Sequence, residues 1–130
     1  MTTGLNALRN AFDRTAQGDG RAFLAMLADE VEWSIIGTTD WSRTYSGKES
    51  VVRDLLIPLS EQFEGRNLVE AKRFIATGDT VVVEGLNHST TIRREPYPNR
   101  YCWIFEMRGD QVVRVTEYCD TALVERVLDR

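Results

Sequence analysis

The stretch that decides the fold is Tyr101-Cys-Trp-Ile-Phe-Glu-Met-Arg-Gly-Asp-Gln-Val-Val-Arg-Val-Thr-Glu-Tyr-Cys-Asp120. Apolar and polar side chains alternate on both sides of Gly109-Asp110, a pair that favours a tight turn, so the stretch predicts a β-hairpin. Because side chains two residues apart share a strand face, the second strand is expected to group Val113, Val115, Glu117 and Cys119. A carboxyl group on that apolar face needs a partner, a shifted pKa or a chemical role.

Three stretches ahead of this hairpin also alternate between apolar and polar residues. Residues 67–77, 80–92 and 99–108 predict strands, and the hairpin adds residues 111–119 as a fourth. Short connections join them at Gly78-Asp79, at a proline-containing loop over residues 95–99, and at Gly109-Asp110. Connections this short indicate an antiparallel meander.

The first half of the chain predicts mainly helices. Apolar residues recur at helical spacing over residues 5–17, and a short second helix through Phe23 precedes a strand through Trp33. Residues 37–45 predict a polar loop. Ser46 and Glu49 have the spacing of a capping box and predict the start of a third helix, which Pro58 is expected to kink or break.

Asp120 is placed to cap a last amphipathic helix. Helices followed by a strongly curved antiparallel sheet make an α+β fold, and we expect residues 1–130 to form one domain.

The composition limits the classes of function. The chain has 130 residues, 28% of them charged, a net charge of −4 and no run of basic residues, which argues against nucleic-acid binding. It has no apolar stretch of about 18 residues and no basic-then-apolar leader, so we expect no membrane span and a cytoplasmic protein. Two free thiols, Cys102 and Cys119, are therefore favoured over a disulfide.

The sequence predicts neither a metal nor a cofactor. His88 is the single histidine of the chain, which excludes histidine-rich zinc sites. No glycine-rich phosphate loop is present either, because Gly18-Asp-Gly20 has the pattern of a turn.

Strand parity predicts a largely apolar pocket if the sheet curls. The residues expected to face it are Trp33, Ile35, Val81, Val83, Gly85, Asn87, Tyr101, Trp103, Phe105, Val113, Val115, Glu117 and Cys119. Asp40 and Trp41 are expected in a loop over the mouth of this pocket, as a lid, a substrate contact or simply a solvated loop.

Two interpretations of Glu117 are open. Burial in the pocket would raise its pKa and suit it to general acid/base chemistry near neutral pH, with Asn87 or Tyr101 orienting it or stabilising a developing enolate. Alternatively, Glu117 is a structural residue hydrogen-bonded to Tyr101 or Trp33.

The order of elements resembles the nuclear transport factor two (NTF2) superfamily, whose members form a cone-shaped α+β barrel. Two stretches carry the resemblance: Tyr45-Ser-Gly-Lys-Glu49, and the segment 108–120, which is similar to the end of SnoaL-like and ketosteroid-isomerase-related proteins. The resemblance covers essentially the whole chain. It implies a fold more than an activity, because this fold supports many functions.

The resemblance argues against two known activities. In the limonene-epoxide hydrolase branch, the aspartate that polarises water matches Glu117. The required tyrosine and asparagine of that branch match Trp33 and Ile35, and its arginine and aspartate match Gly85 and Asn87.

Ketosteroid isomerases place their base where this chain has Trp33. The tyrosine of their oxyanion hole corresponds to a position near Ala11 or Phe12. The second hydrogen-bond donor of that oxyanion hole corresponds to about Tyr101. The catalytic base of that family is therefore absent from this chain.

The first hypothesis is a SnoaL-like protein that binds a small apolar or carbonyl-containing molecule. As an enzyme, it would be a cofactor-free isomerase, cyclase or dehydratase with Glu117 as acid and base. The alternative is a non-catalytic ligand-binding or dimerisation module, and epoxide hydrolysis is third. By the resemblance, the outer sheet face with Glu84, Leu86 and His88 forms a homodimer, and a Glu84–His88 pair is expected there.

Overall fold

A computed structural model describes residues 3–129 of the chain. The first half contains helices α1 (Thr3–Thr15) and α2 (Arg21–Met26), then strands β1 (Leu27–Ile35) and β2 (Thr44–Ser46). A continuous helical segment over residues 48–60 follows. It consists of α3 (Lys48–Ser50), a π-helix (Val51–Leu56) and α4 (Ile57–Ser60).

The second half is mostly sheet. It contains β3 (Val69–Thr77), β4 (Thr80–Asn87), the short strands β5 (Ser89–Thr90) and β6 (Pro96–Tyr97), then β7 (Arg100–Arg108) and β8 (Gln111–Cys119). Helix α5 (Thr121–Val127) follows the last strand. The four long strands of this half correspond to those predicted from the alternating pattern, except that the predicted strand over residues 80–92 ends at Asn87. The α+β architecture is confirmed.

Six strands form one curled, unclosed sheet in the order β2-β1-β8-β7-β4-β3, and β5 pairs with β6 separately. The meander β3-β4-β7-β8 is antiparallel, as predicted. Strand β1 joins β8 in parallel and places Trp33 opposite Val115 and Ile35 opposite Glu117. The first strand of the chain is therefore hydrogen-bonded to the last.

A β-bulge in β8 corrects the predicted parity at one position. Met107 pairs with Val112 while Glu106 pairs with Arg114, so Val113 is an extra residue without a partner on β7. Consequently Val112 and Val115 are the fully buried valines of this strand, and Val113 is only partly buried.

The predicted capping box does not form. Ser46 belongs to β2, where it pairs with Glu32 of β1, and Gly47 is the residue that precedes the helix. The φ angle of Gly47 is +89°, and its N–H donates to the Val31 carbonyl at 2.7 Å. Pairing with the sheet therefore takes Ser46 away from the helix terminus, and part of the predicted loop becomes a strand.

The helical segment does not break at Pro58 but continues to Ser60. The helical pattern changes from π to α at Ile57, next to Pro58, which has no N–H to donate. At the start of α5, Oδ1 of Asp120 accepts a hydrogen bond from the Leu123 N–H at 3.2 Å, which confirms the predicted cap.

The predicted Glu84–His88 pair on the outer face of the sheet does not form. Nε2 of His88 lies 2.8 Å from Oε1 of Glu70, whereas Glu84 pairs with Arg73 at 2.9 Å. The reason is that β3 runs beside β4, so cross-strand neighbours are closer than residues four apart on one strand.

The concave face of the sheet and the helices enclose the core. Buried aromatic rings contribute much of it, with Phe12 of α1 lying 5.4 Å from Trp103 and 6.0 Å from Phe105 between ring centroids. In the described residues 3–129, no helix is long and apolar enough to cross a membrane.

Candidate functional site

The concave face contains a cavity of about 460 Å³, within the roughly 300–1,000 Å³ of small-molecule sites. Its inner wall is aromatic and consists of Phe12, Phe23, Trp33, Tyr101, Trp103 and Phe105. Its mouth lies between Gly18 and Gly20 of the α1–α2 turn, the helical residues 56–60, and residues 65–67. Glu117 and Arg66 are the charged residues that line it within the described chain.

Two tryptophans hold the carboxyl group of Glu117. The indole N–H of Trp33 donates to Oε1 at 3.2 Å, and that of Trp103 donates to the same oxygen at 3.1 Å. Their positions follow from the strand pairing, because Trp103 lies opposite Glu117 on β7 and Trp33 lies on β1, beside β8. An indole N–H only donates, so both bonds persist whether the carboxyl group is ionised or protonated.

The pKa of Glu117 is raised from 4.5 to about 7 because burial disfavours the charged carboxylate. The two indole hydrogen bonds act in the opposite direction and only partly offset burial. Within residues 3–129, Oε2 accepts no hydrogen bond from another side chain. The carboxyl group therefore has one fixed oxygen and one oxygen available to exchange a proton with a ligand near neutral pH.

Gly85 makes room for the indole of Trp103. A Cβ atom at position 85 would lie 2.6 Å from Cζ3 of Trp103 and 3.0 Å from the Glu70 carbonyl oxygen. Trp103 also stacks on the ring of Tyr101 at 4.5 Å between centroids and 14° between planes. The ring that reaches Glu117 thus packs against both a glycine and a tyrosine.

Asn87 holds Tyr101 and has no hydrogen bond to Glu117. The Asn87 side chain is buried, and its Nδ2 donates to the Tyr101 hydroxyl at 3.2 Å and to Oδ1 of Asn67 at 2.9 Å. Burial raises the pKa of Tyr101 well above 10, so its hydroxyl stays protonated. Asn87 and Tyr101 therefore support Trp103, and the indoles orient the carboxyl group.

The structure brings together only part of the predicted pocket. Trp33, Tyr101, Trp103, Phe105 and Glu117 line the cavity. The predicted strand residues that do not line it are Ile35, Val81, Val83, Gly85, Asn87, Val113, Val115 and Cys119.

Cys119 and Cys102 are free, and burial raises the pKa of the Cys119 thiol to about 12. The two cysteines lie on neighbouring strands, but Cys119 is opposite Tyr101 and Cys102 is opposite Tyr118. Being one residue out of register, they face opposite sides of the sheet.

Asp40 and Trp41 lie away from the cavity mouth, in contrast to the prediction. They line a separate cleft of about 90 Å³ together with Val124, Glu125 and Leu128 of the C-terminal segment. A tight turn holds their loop there, because the Trp41 N–H donates to Oγ1 of Thr39 and the Tyr45 hydroxyl donates to the Trp41 carbonyl.

The sequence does not predict the residues that form the real mouth. They come from a turn, from one side of helical segment 48–60, and from residues just before β3. Gly18, Gly65 and Arg66 do not belong to any strand pattern. The one feature of the sequence that points to this mouth is the presence of helical segments, which must cover the open side of a curled sheet.

The chain belongs to the SnoaL-like domain family, whose sequence model matches residues 8–115. None of the curated proteins compared with the chain matches it in sequence. The family expected from the resemblance is confirmed, and the matched region ends two residues before Glu117.

Similar solved structures include an NTF2-like protein from Burkholderia thailandensis E264, with 21% identity, a TM-score of 0.83 and 100% of both chains covered. TerC, co-crystallised with polyporic acid, is 20% identical with a TM-score of 0.80, over 96% of this chain and 97% of that one. A putative SnoaL-like polyketide cyclase from Jannaschia sp. CCS1 is 18% identical with a TM-score of 0.74, and the match covers 97% of this chain and 91% of that one. At these identities the likeness shows the fold.

Substituting Gly85→Ala should disturb the site through Trp103. We expect a loss of about 1–3 kcal/mol in the free energy of unfolding, because the new methyl group overlaps the indole ring. The Trp103 indole N–H resonance should also move. Gly20→Ala is the matched control, since no atom lies within 4 Å of the added Cβ. An unchanged Trp103 resonance in Gly85→Ala would contradict the proposed packing.

The raised pKa of Glu117 predicts a specific pH dependence of stability. The native state keeps a proton that the unfolded chain, with its ordinary pKa of 4.5, releases. The contribution of Glu117 to the free energy of unfolding is fully present below pH 4.5. It is lost as the pH rises through about 7, and the loss amounts to up to about 3 kcal/mol.

The measurement is the melting temperature of the wild type and of Glu117→Gln between pH 5 and 8. The introduced glutamine keeps an oxygen acceptor for both indoles but has no charge, so the variant should gain stability relative to the wild type as the pH rises. Groups with lowered pKa values, such as Asp54 and Glu70, are present in both proteins. Their contributions to the pH dependence therefore cancel in the difference between the two melting temperatures. A difference that does not change over this range would show that the carboxyl group is not desolvated.

Proposed function

We propose that the cavity binds a small, largely apolar molecule with a carbonyl group, and that Glu117 exchanges a proton with it. The observation that carries this proposal is the asymmetry of the carboxyl group of a cavity-lining residue: two indoles fix Oε1, whereas Oε2 accepts no side-chain hydrogen bond within residues 3–129. An aromatic wall suits an apolar ligand, and a pKa near 7 suits a group that both accepts and returns a proton.

The chemistry is proton transfer at carbon. The carboxylate removes a proton from an acidic C–H next to a carbonyl group, the electron pair moves to the carbonyl oxygen, and the protonated carboxyl group delivers the proton elsewhere on the ligand. Isomerisation, cyclisation and dehydration all use this pair of steps. Trp33 and Trp103 position the carboxyl group, and Tyr101 and Asn87 act one step further away by positioning Trp103.

The relatives support a small organic ligand. The Jannaschia protein is described as a putative polyketide cyclase, another similar structure is described as a putative isomerase from Bacillus subtilis, and TerC was co-crystallised with polyporic acid. The alternative is a non-catalytic binding module. It is favoured by the isolation of Glu117, because no other carboxyl group and no histidine, cysteine or lysine of the described chain lines the cavity.

Hydrogen exchange into a ligand separates these two functions. The probe is 2-tetralone, an apolar ketone with acidic C–H bonds, incubated with the protein in D₂O and followed by NMR. We expect the wild type to accelerate exchange at least tenfold over Glu117→Gln, and the rate to rise as the pH approaches 7 and the base ionises.

The control for this experiment is Glu61→Gln, which removes an exposed carboxylate outside the cavity and should exchange like the wild type. Binding of the ketone with equal exchange by wild type and Glu117→Gln would instead support the binding module.

We also propose a homodimer through the outer sheet face that contains Glu84, Leu86 and His88. An apolar row crosses this face, because Val82 pairs with Ile75 on one side and with Ile104 on the other. Ile75 is 49% exposed in the monomer.

Sedimentation tests the dimer. The wild type should sediment as a dimer and Ile104→Glu as a monomer, because the new charge lies in the apolar row. Ile92→Glu changes an isoleucine that is 60% exposed outside this face and should remain dimeric. A wild type that sediments only as a monomer refutes the dimer.

A further inference from the structure

Two polar residues at the cavity mouth have no part in the proton transfer. Arg66 and Asn67 follow Gly65, precede β3 and line the cavity at the exposed end, whereas Glu117 lies among the buried aromatic rings. Their hydrogen bonds decide which ligand group they can receive.

The orientation of the Asn67 amide is fixed by a chain of hydrogen bonds that starts at a backbone donor. The Ser89 N–H, which can only donate, lies 2.7 Å from one atom of the Asn87 amide and identifies that atom as Oδ1. Nδ2 of Asn87 therefore faces Asn67 at 2.9 Å, and the atom it meets must be the oxygen of Asn67. The hydroxyl of Ser89 donates to the same oxygen at 3.1 Å.

The oxygen of Asn67, a cavity-lining residue, is thus occupied by Asn87 and Ser89, and its amide nitrogen is left for a ligand. In the part of the chain that the structure describes, Nδ2 of Asn67 has no acceptor. An amide N–H₂ group offers two donors and accepts nothing, so this part of the wall recognises an acceptor atom on the ligand.

Arg66 adds a positive charge next to this donor. It is the only cation among the described cavity-lining residues, and it forms no ion pair within residues 3–129. Its stem packs on Gly18, where an added Cβ would lie 2.6 Å from Cδ of Arg66. Nη1 makes one long hydrogen bond of 3.4 Å to the Gly18 carbonyl, so most of the five guanidinium donors remain for a ligand.

The two ends of the cavity therefore have opposite polarity. When Glu117 is ionised, it disfavours an anionic group at the inner end by like-charge repulsion, and Arg66 with Asn67 favours one at the mouth. We propose that the ligand is an apolar acid whose anionic oxygens bind to Nδ2 of Asn67 and the Arg66 guanidinium while its apolar body lies on the aromatic wall. This inference rests on the proposed function and names its ligand class.

Three naphthalene derivatives with one apolar body and different head groups test the inference: 2-naphthoate, 2-naphthylmethanol and 2-naphthylmethylammonium. Binding is followed by titrating ¹⁵N-labelled protein. The indole N–H signals of Trp33 and Trp103 report on the cavity, and Trp41, which lies outside it, serves as the internal reference. We expect 2-naphthoate to bind about tenfold more tightly than the alcohol, and the ammonium compound to bind most weakly.

Two variants separate the contributions of Arg66 and Asn67. Arg66→Gln should reduce the preference for naphthoate over the alcohol about fivefold. Asn67→Asp keeps the oxygen that Asn87 and Ser89 need but replaces the free amide nitrogen with an oxygen, so it should abolish the preference. Arg126→Gln removes an exposed arginine outside the cavity and should behave like the wild type. Alcohol binding that is unchanged in each variant shows that the cavity is intact.

The outcomes distinguish this inference from the function on which it rests. Equal binding of the acid and the alcohol by the wild type overturns the acidic ligand and leaves a cavity for apolar molecules. A preference for naphthoate that survives both Arg66→Gln and Asn67→Asp also overturns it. Failure of all three compounds to shift the Trp33 and Trp103 signals overturns both the inference and the proposed function.

Discussion

The site depends on one hydrogen-bonded group, the oxygen of Glu117 that receives an N–H from each of two tryptophans. Burial alone would favour a neutral carboxyl group that rotates freely. The two donors fix the group in one orientation and moderate the rise in its pKa. Neighbouring residues hold the Trp103 indole in place for this hydrogen bond. Gly85 leaves space for the indole, and Tyr101 stacks on the indole. Asn87 in turn donates a hydrogen bond to Tyr101.

This arrangement differs from a carboxylate paired with an arginine. A neighbouring arginine would lower the pKa and keep the group ionised, whereas neutral indole donors allow both protonation states with little change in geometry. The indole of Trp103 occupies the space where a Cβ atom at position 85 would lie.

The sequence could predict the parts of the site that depend on strand periodicity. Trp33, Trp103 and Glu117 were placed on one face because alternation along each strand is preserved when strands pair. Val113 was misplaced because a bulge adds one residue to β8, and alternation has no signal for such an insertion. Asp40 was misplaced because its loop is held by a local turn and by Tyr45, contacts that have no periodicity.

Arg66 and Asn67 could not have been assigned to the cavity without the structure. They precede β3 in a segment without a pattern, and the orientation of Asn67 depends on Ser89, which lies 22 residues further along the chain. Likewise, the Trp103 indole fits only because residue 85 on β4 is a glycine. A glycine has no side chain and therefore adds nothing to a hydrophobic pattern.

The parallel pairing of β1 with β8 has a consequence for how the chain acquires its site. The hydrogen bond from Trp33 to Glu117 spans 84 residues, so it cannot form until the intervening helices and the meander allow the two ends of the sheet to meet. Contacts of such high contact order are costly in loop entropy and belong to the slow part of folding. Because the raised pKa of Glu117 comes from burial, it depends on a sheet in which the first strand lies beside the last.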